Sequence, residues 1–519
     1  MGNELRQKSA PDVVWSVAGT DSGAGAGLQA DLRAIDAFGA HPCTVVAAIT
    51  AQNSLSVQRI EPVGAAMLEA QIAALADDMA PAAIKTGMLG SAENLQVLVH
   101  WIDRLRQQRP ALPVVVDPVL RSSSGALFAD ATLLKLYRTE LLPRATLITP
   151  NRSEATALLG CAPLHSRSAV ERAATALLAL GCKAVVITGG DELGAMSEDY
   201  AATPYASGWL NLPRVATPHQ HGTGCVLASS AAAAMARGFV EIDAIVLAKM
   251  ATTHALRRGH AAGQGAGPVY PGAGFALVCE NLPGVSTTGQ AEVSKFSRLS
   301  DPDLGLYAVV DSAVWVRRVL DAGVRTVQLR IKDSGQSSLR DEVRASIAAA
   351  RAANAQLFIN DHWALAIEEG AYGVHLGQKD LESADLDAIA RAGLRLGLST
   401  HSYWEVCRAW ILRPSYIACG PIYPTPAKRM PWIAQGNGNL AYWCTLLPLP
   451  VVAIAGMDPH RASQAMACGA AGVAVISAIM NAPSPEAEIQ HLRQAVQEGR
   501  LLPRRASPEL PKTTLQREH

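Results

Sequence analysis

A chain of 519 residues is too long for one hydrophobic core, so two or three domains are expected. Lys plus Arg equals Asp plus Glu at 45 each, which excludes a global field drawing the chain to nucleic acid or to an anionic membrane; anion handling must come from local sites. Nine cysteines with no C-x-x-C pair and no His/Cys metal spacing fit free thiols in a reducing cytoplasm.

The first twelve residues are polar and lack the apolar core of a signal peptide. Residues 13–18 read as a buried strand, 19–27 as a glycine-rich loop and 28–38 as an amphipathic helix. Such a strand–loop–helix puts backbone donors at the carboxyl edge of a sheet, where open α/β folds bind small ligands. The spacing is not that of a P-loop. Further strands are expected over 44–49, 83–85, 114–116, 146–148 and 184–188, with helices over 65–75, 92–105, 169–180 and 242–256. The alternation implies a largely parallel sheet covered on both faces.

Polar residues fall at the strand ends. Gln52 and Asn53 follow the second strand, Asp117 precedes Pro118, and Asn151 to Glu154 open a helix. Asp117 and Glu154 are candidate Mg²⁺–phosphate groups, because Mg²⁺ prefers carboxylate and water oxygens. A turn residue and an N3 helix cap are the plainer alternatives. His221-Gly222-Thr223-Gly224-Cys225 then opens an Ala/Ser-rich helix over 226–236. The two glycines and the helix start make an anion site, where Thr223 and the backbone can hold a migrating phosphoryl group. Cys225 sits where a helix terminus lowers a thiol pKa, so it could take a proton from an alcohol. The alternative is a glycine turn with a small buried cysteine. The Ala-rich run is too short and weakly apolar to cross a membrane, and Arg237 interrupts it.

Ala18-Gly19-Thr20-Asp21-Ser22-Gly23-Ala24-Gly25, Gln29-Ala30-Asp31-Leu32, Ala51-Gln52-Asn53, Lys85-Thr86-Gly87-Met88-Leu89, Asp117-Pro118-Val119, Asn151-x-x-Glu154 and the 221–225 motif occur in this order. Together they resemble the hydroxymethylpyrimidine/phosphomethylpyrimidine kinase of thiamine biosynthesis over residues 13–270. The resemblance implies a ribokinase-like three-layer α/β/α fold that uses ATP and Mg²⁺. Gln52 would hydrogen-bond the aminopyrimidine with Asp31 lining the same pocket. Gly222, Thr223 and Gly224 would form the anion hole, with Cys225 as base. Asp117, Asn151 and Glu154 would serve the nucleotide and its metal. Where many members carry Lys this chain has Thr188, which leaves the ATP phosphates to Mg²⁺ and Lys249. Pyridoxal kinase is the nearest competitor.

Periodicity disappears over 281–303, which reads as a linker, with a long surface loop as the alternative. A second βα series follows, with strands over 306–310, 324–331, 356–359, 373–375, 395–398, 416–418, 451–454 and 472–475. Eight strands in about 200 residues is the count for a (β/α)₈ TIM barrel. Gln328, Arg330 and Lys332 alternate to one side, which is costly in a barrel unless an anion meets them; an edge strand with a wet face is the alternative. Asp361 and Asp380 lie past strand ends and could share a Mg²⁺ with a pyrophosphate, although a helix cap and a turn are also open to them. Gly456 and Ile476-Ser477 follow the seventh and eighth strands, the usual phosphate corner.

Gln328-Leu329-Arg330-Ile331-Lys332, Asn360-Asp361, His375-Leu376-Gly377-Gln378-x-Asp380, Ser399-Thr400-His401, Gly420 to Lys428 and Ala474 to Ser477 resemble thiamine-phosphate synthase over residues 306–480. The resemblance implies that the pyrimidine pyrophosphate meets Gln328 to Lys332, Asn360, Ser399 and Lys428, with Mg²⁺ on Asp361 and Asp380. The thiazole phosphate would meet Thr425, Pro426, Ala427, Gly456, Ile476 and Ser477. Ala427 and Ala455 depart from the usual Thr and Gly.

The expected organisation is a kinase domain over 1–280, a linker over 281–303, a synthase domain over 304–500 and a polar tail over 501–519 without fixed structure from 505. The expected activity is a fusion that makes the pyrimidine pyrophosphate and condenses it with thiazole phosphate. Partners are small molecules only, with homo-oligomerisation left open. Two alternatives stand: a pyridoxal-type kinase fused to a thiazole tautomerase-like barrel, and a non-catalytic thiamine-precursor sensor.

Overall fold

The computed structural model describes residues 10–120, 130–190, 194–287, 296–333, 338–425 and 431–515. The described residues fall into two compact units, 10–287 and 296–515.

The first unit is built on a ten-stranded sheet. Its strands are β1 (Val13–Gly19), β2 (His41–Gln52), β3 (Val57–Pro62), β4 (Ala83–Thr86), β5 (Val114–Val116), β6 (Leu147–Ile148), β7 (Val185–Ile187), β8 (Met196–Ala202), β9 (Ser207–Pro213) and β10 (Gly284–Ser286). Their spatial order is β10-β9-β8-β7-β6-β5-β4-β1-β2-β3. The central six are parallel, and β4 to β7 are short and wholly buried, as expected of strands covered on both sides. Period-two alternation separates the faces. Trp15 and Val17 enter the large core shared with helices Ala65–Asp78, Ala92–Gln108 and Arg167–Leu178. Ser16 points the other way, toward helices Gly27–Asp36 and Thr223–Ala236. Helix Thr223–Ala236 is buried from Val226 to Met235 because helix Glu241–Arg257 covers it.

Both ends of the sheet add strands, beyond those expected, to the parallel centre. Strands β3, β8, β9 and β10 are all antiparallel additions. They were not expected because β3 is mostly exposed and β8 carries Ser197, Glu198 and Asp199. Residues 284–286, read as linker, form β10, with Val285 opposite Leu210.

The second unit is a closed barrel of parallel strands β11 (Gly305–Val310), β12 (Thr326–Leu329), β13 (Gln356–Asn360), β14 (Gly373–Leu376), β15 (Arg395–Thr400), β16 (Tyr416–Cys419), β17 (Val451–Ile454) and β18 (Gly472–Val475). Residues Gly305 and Gly472 pair where β18 returns to β11. Inward rings of Tyr307, Phe358 and Tyr416 fill the barrel, so it is a core and not a pore. The tail departs from expectation. Ile433 N–H donates to the Thr514 carbonyl at 2.8 Å, Lys512 N–H donates to Asn439 Oδ1 at 2.8 Å, and Leu515 bridges to Trp432. Backbone pairing, which polar composition does not reveal, fixes this segment through residue 515.

Candidate active sites

In the first unit the 19–27 loop and the 221–225 motif interlock. A Cβ on Gly222 would lie 2.0 Å from the Gly25 carbonyl oxygen, and one on Gly25 would lie 2.3 Å from the His221 ring. Gly222 takes φ 90° as the residue before helix Thr223–Ala236, and no side chain caps that helix. Its first-turn N–H groups therefore keep the anion-site geometry. Asp21 organises the facing loop. Its carboxylate accepts from Gly23, Gly25 and Ala26 N–H at 2.7–2.9 Å, and His221 Nε2 lies 3.1 Å away. Burial opposes ionisation of Asp21, yet bonds from His221, Gln52, Ala26 and Gly23 outweigh it and hold the pKa at about 2. Gln52 thus sits beside this loop, with its backbone tied to Ser22 Oγ.

Beneath the motif lies a buried charge cluster that gave little sequence signal. Lys85 Nζ meets both Asp31 oxygens at 2.8 and 2.9 Å, and both side chains are fully buried. Burial disfavours the ammonium, but Asp31, Cys225 and Asp117 hold its pKa above the ordinary lysine value. Asp117 is buried, and burial, offset by Lys85, raises its carboxyl to about 6. Thr86, at the end of β4, and Thr149, just past β6, each keep a buried hydroxyl with no hydrogen-bond partner among the described residues. A buried carboxylate flanked by two unanswered hydroxyls, opposite a helix start, fits a hydrated dication carrying phosphate.

Four expectations change here. Asp31 does not line a pocket, because Lys85, Ser16 and Ser229 take its oxygens. Lys249 is not held toward phosphates; it is buried on Asp199 at 2.7 Å and Ser197 at 2.8 Å, and Asp199 also accepts from Gly189 N–H. Asn151 and Glu154 form a reciprocal capping box at the start of helix Arg152–Leu159, at 2.8 and 2.9 Å. The Cys225 thiol is pushed up to about 12, not down. Burial leads; the Lys85 charge opposes it next, Asp31 and Asp117 reinforce it, and a backbone bond with Gly27 opposes it least. Thr188 lies at the end of β7, bridged to Asn151.

The barrel gathers its expected residues at the carboxyl ends of its strands. Along β12 and beyond, Gln328 is buried, Arg330 half-buried and Lys332 exposed, a stripe that rises to the mouth, while Leu329 and Ile331 pack the other way. Asp361 adopts φ 63°. It does not cap the following helix, Trp363–Glu368, which has no side-chain cap. Its carboxyl faces Asp380 instead: burial, the Asp380 charge and a shared proton raise its pKa, and Arg330 and Asn360 oppose this. Gly377 N–H donates to Asp380 at 3.0 Å. Two adjacent acids that repel each other beside an arginine fit a Mg²⁺ that keeps waters and takes substrate oxygens.

Inside the barrel runs a polar chain that the sequence did not announce. Gln328 Nε2 donates to the Tyr307 hydroxyl at 3.3 Å, and Tyr307 and Tyr416 hydroxyls are 2.8 Å apart. Tyr416 lies 2.7 Å from His375 Nδ1, and His375 Nε2 lies 2.8 Å from Ser399 Oγ. Burial and the nearby Arg330 push His375 down to about 4, so the ring is neutral at physiological pH.

Thr425 is half-buried, and the 420–425 loop docks on the segment carrying Gly456, where Tyr423 N–H donates to the Ala455 carbonyl. A Cβ on Gly456 would lie 2.7 Å from Tyr423 Cβ. Ile476 is half-buried and Ser477 exposed after β18. Pro426, Ala427 and Lys428 lie outside the described residues. Ala455 holds φ 84°, in the left-handed region. Ala455→Gly is therefore expected to stabilise the barrel by about 1 kcal/mol in chemical denaturation, since the left-handed region costs an L-residue roughly 1–2 kcal/mol. A loss of stability would mean that packing of the methyl outweighs the strain.

Comparison with known proteins places these sites in context. Residues 21–270 match the phosphomethylpyrimidine kinase family model and residues 306–479 the thiamine monophosphate synthase model. A probable thiamine biosynthetic bifunctional enzyme, chloroplastic, of Oryza sativa subsp. japonica is 34% identical over 500 residues, covering 92% of this chain and 88% of the relative. The thiamine-phosphate synthase of Serratia proteamaculans is 51% identical over 195 residues, covering 37% of this chain and 92% of the relative. Among solved structures, an ADP complex of Bacillus subtilis pyridoxal kinase aligns with TM-score 0.46 and 29% identity, over 50% of this chain and 98% of that one. No helix among the described residues is long and apolar enough to cross a membrane.

Proposed function

The chain belongs to the bifunctional thiamine biosynthetic enzymes, and from that premise we propose how its two sites divide the work. The first unit phosphorylates hydroxymethylpyrimidine with ATP, then its monophosphate. The second joins the resulting pyrophosphate to thiazole phosphate and releases pyrophosphate. The observation that carries the second assignment is the Asp361–Asp380 pair beside Arg330. The pyridoxal-kinase and sensor alternatives are not retained, because the relative in rice spans both halves under one thiamine biosynthetic description.

In the kinase site, Gln52 orients the pyrimidine beside the Asp21 loop. Gly222 to Gly224 offer backbone donors to the phosphoryl group in flight. Asp117 would hold the metal of ATP. Phosphoryl transfer depends chiefly on positioning and charge stabilisation, so a raised Cys225 pKa is compatible with it: in its minor thiolate form the sulfur takes up the alcohol proton late, as the new oxygen–phosphorus bond forms, and becomes the thiol. Asn151 and Glu154 shape the nucleotide edge through their capping box, and Thr188 closes it.

In the barrel, Asp361 and Asp380 would hold Mg²⁺, which would supply positive charge against the departing pyrophosphate. Arg330, Lys332 and Lys428 neutralise the remaining oxygens. Gln328, Asn360 and Ser399 orient the pyrimidine, and its amino-substituted ring delocalises the methylene cation left behind. Thr425, Gly456 and Ser477 seat the thiazole phosphate so that its ring nitrogen attacks. Nine free cysteines suit a reducing compartment such as the cytoplasm.

The direct test supplies hydroxymethylpyrimidine, ATP, Mg²⁺ and thiazole phosphate to the purified chain and assays thiamine phosphate. No product would refute the reading. Cys225→Ala should slow the kinase on the order of a hundredfold or more, as for loss of an acid–base group, and leave the synthase untouched. Alkylation of Cys225 in the unsubstituted chain should keep accelerating from pH 7 to pH 10 without a plateau, because its thiol ionises only near 12. A plateau near pH 8 would contradict that.

A further inference from the structure

We propose that His375 is a positioning residue of the barrel site, which acts through a one-way hydrogen-bond chain to fix the Ser399 hydroxyl as a donor toward the bound pyrimidine pyrophosphate. This rests on the synthase reading above. The argument begins at the far end of the chain. The Gln328 amide nitrogen can only donate, so the Tyr307 oxygen accepts from it at 3.3 Å. Either phenol could donate across the 2.8 Å contact with Tyr416, and we assign the donor role to Tyr307 because the Tyr416 oxygen is the acceptor within its reach among the described residues. Tyr416 in turn donates to His375 Nδ1 at 2.7 Å. An imidazole whose Nδ1 accepts a hydrogen bond carries its proton on Nε2. That proton is donated to Ser399 Oγ at 2.8 Å. With Oγ already accepting, the serine proton is the one left to point elsewhere.

The chain spans five strands, β11, β12, β14, β15 and β16, and Gln328, Tyr307, Tyr416 and His375 are all buried. Burial raises both tyrosine hydroxyls well above their usual range, so each keeps the proton that the chain needs. Gln378 Nε2 donates to the Ser399 carbonyl at 2.8 Å, which anchors the serine backbone as well. A hydroxyl that presents a proton selects an acceptor, such as a pyrophosphate oxygen or an unprotonated ring nitrogen, over a donor.

The test has two arms on the full chain. In the first, histidine is labelled with ¹⁵N and the ring tautomers are read at neutral pH, His375 being identified by its loss in His375→Gln. The proton is expected on Nε2, and Tyr416→Phe should erase that preference. A proton on Nδ1 would overturn the proposal, because the whole chain would then run in reverse. The second arm is kinetic. His375→Leu should raise the KM for the pyrimidine pyrophosphate about tenfold to a hundredfold, the range for one hydrogen bond to a charged group, with the KM for thiazole phosphate unchanged. His375→Gln, which restores an N–H near Ser399, should recover most of the loss. In a Ser399→Ala background His375→Leu should cost nothing further; additive losses would overturn the proposal. Absence of turnover in the unsubstituted chain would instead remove the synthase reading, and this inference with it.

Discussion

Replacing Asp361 by Asn is expected to abolish formation of thiamine phosphate from supplied pyrimidine pyrophosphate, while the kinase reaction of the same sample continues at its normal rate. Asn is the informative choice because position 361 takes φ 63°, a conformation Asn tolerates better than Ala. The backbone is preserved and only the charge is removed. Charge stabilisation by a metal is worth several kcal/mol, so the loss should reach about a thousandfold. A second outcome has the opposite sign. Burial and the Asp380 charge raise the Asp361 pKa, so in the folded protein protonation is favoured; the stability this gives is full below the unfolded carboxyl value and is lost as pH rises from there through the folded pKa. A neutral Asn removes that repulsion. In the absence of Mg²⁺ and at neutral pH, the variant barrel should therefore melt higher than the unsubstituted one. Loss of kinase activity, or a lower melting temperature with activity retained, would contradict the assignment.

Lys85→Met is expected to be the most destabilising single substitution in the first unit. It strands the Asp31 carboxylate in a site where neither partner has solvent exposure. Breaking a buried pair from one side costs about 3–5 kcal/mol. Ser16 and Ser229 would still donate to Asp31 but cannot supply a charge. The double substitution Lys85→Met, Asp31→Leu should recover much of the stability, because no lone charge remains. Denaturant unfolding followed separately for the two units would show the first transition shifted and the barrel transition fixed. Equal losses in single and double variants would mean that the pair contributes shape alone.

Much of this architecture was legible from the residues. All eight barrel strands lie within two residues of their expected ends, because each is an apolar run closed by polar or glycine residues. The parallel heart of the first sheet was legible for the same reason. The antiparallel margins were not, since a wet strand such as β3 carries no apolar run. Site residues split along a different line. That Asp361 and Asp380 meet was readable from their place after β13 and β14. The partners of Asp31 and Lys249 were not, because Lys85 and Asp199 lie 54 and 50 residues away in sequence. Cys225 shows the limit of a local rule: the helix start lowers a thiol pKa, but burial decides the sign against both it and the Lys85 charge, with two distant carboxylates reinforcing the rise. His375 stood inside a quoted motif, yet its role depends on tyrosines from two other strands.

The seam between β11 and β18 has a consequence for how the chain is made. Gly305 meets Gly472, so the ring of strands cannot shut until nearly the whole polypeptide has left the ribosome. The first sheet, by contrast, has its last strand in hand by Ser286. Synthesis therefore delivers one finished half while the other still waits with open edges, and early termination between those points would leave a folded kinase trailing unpaired strands.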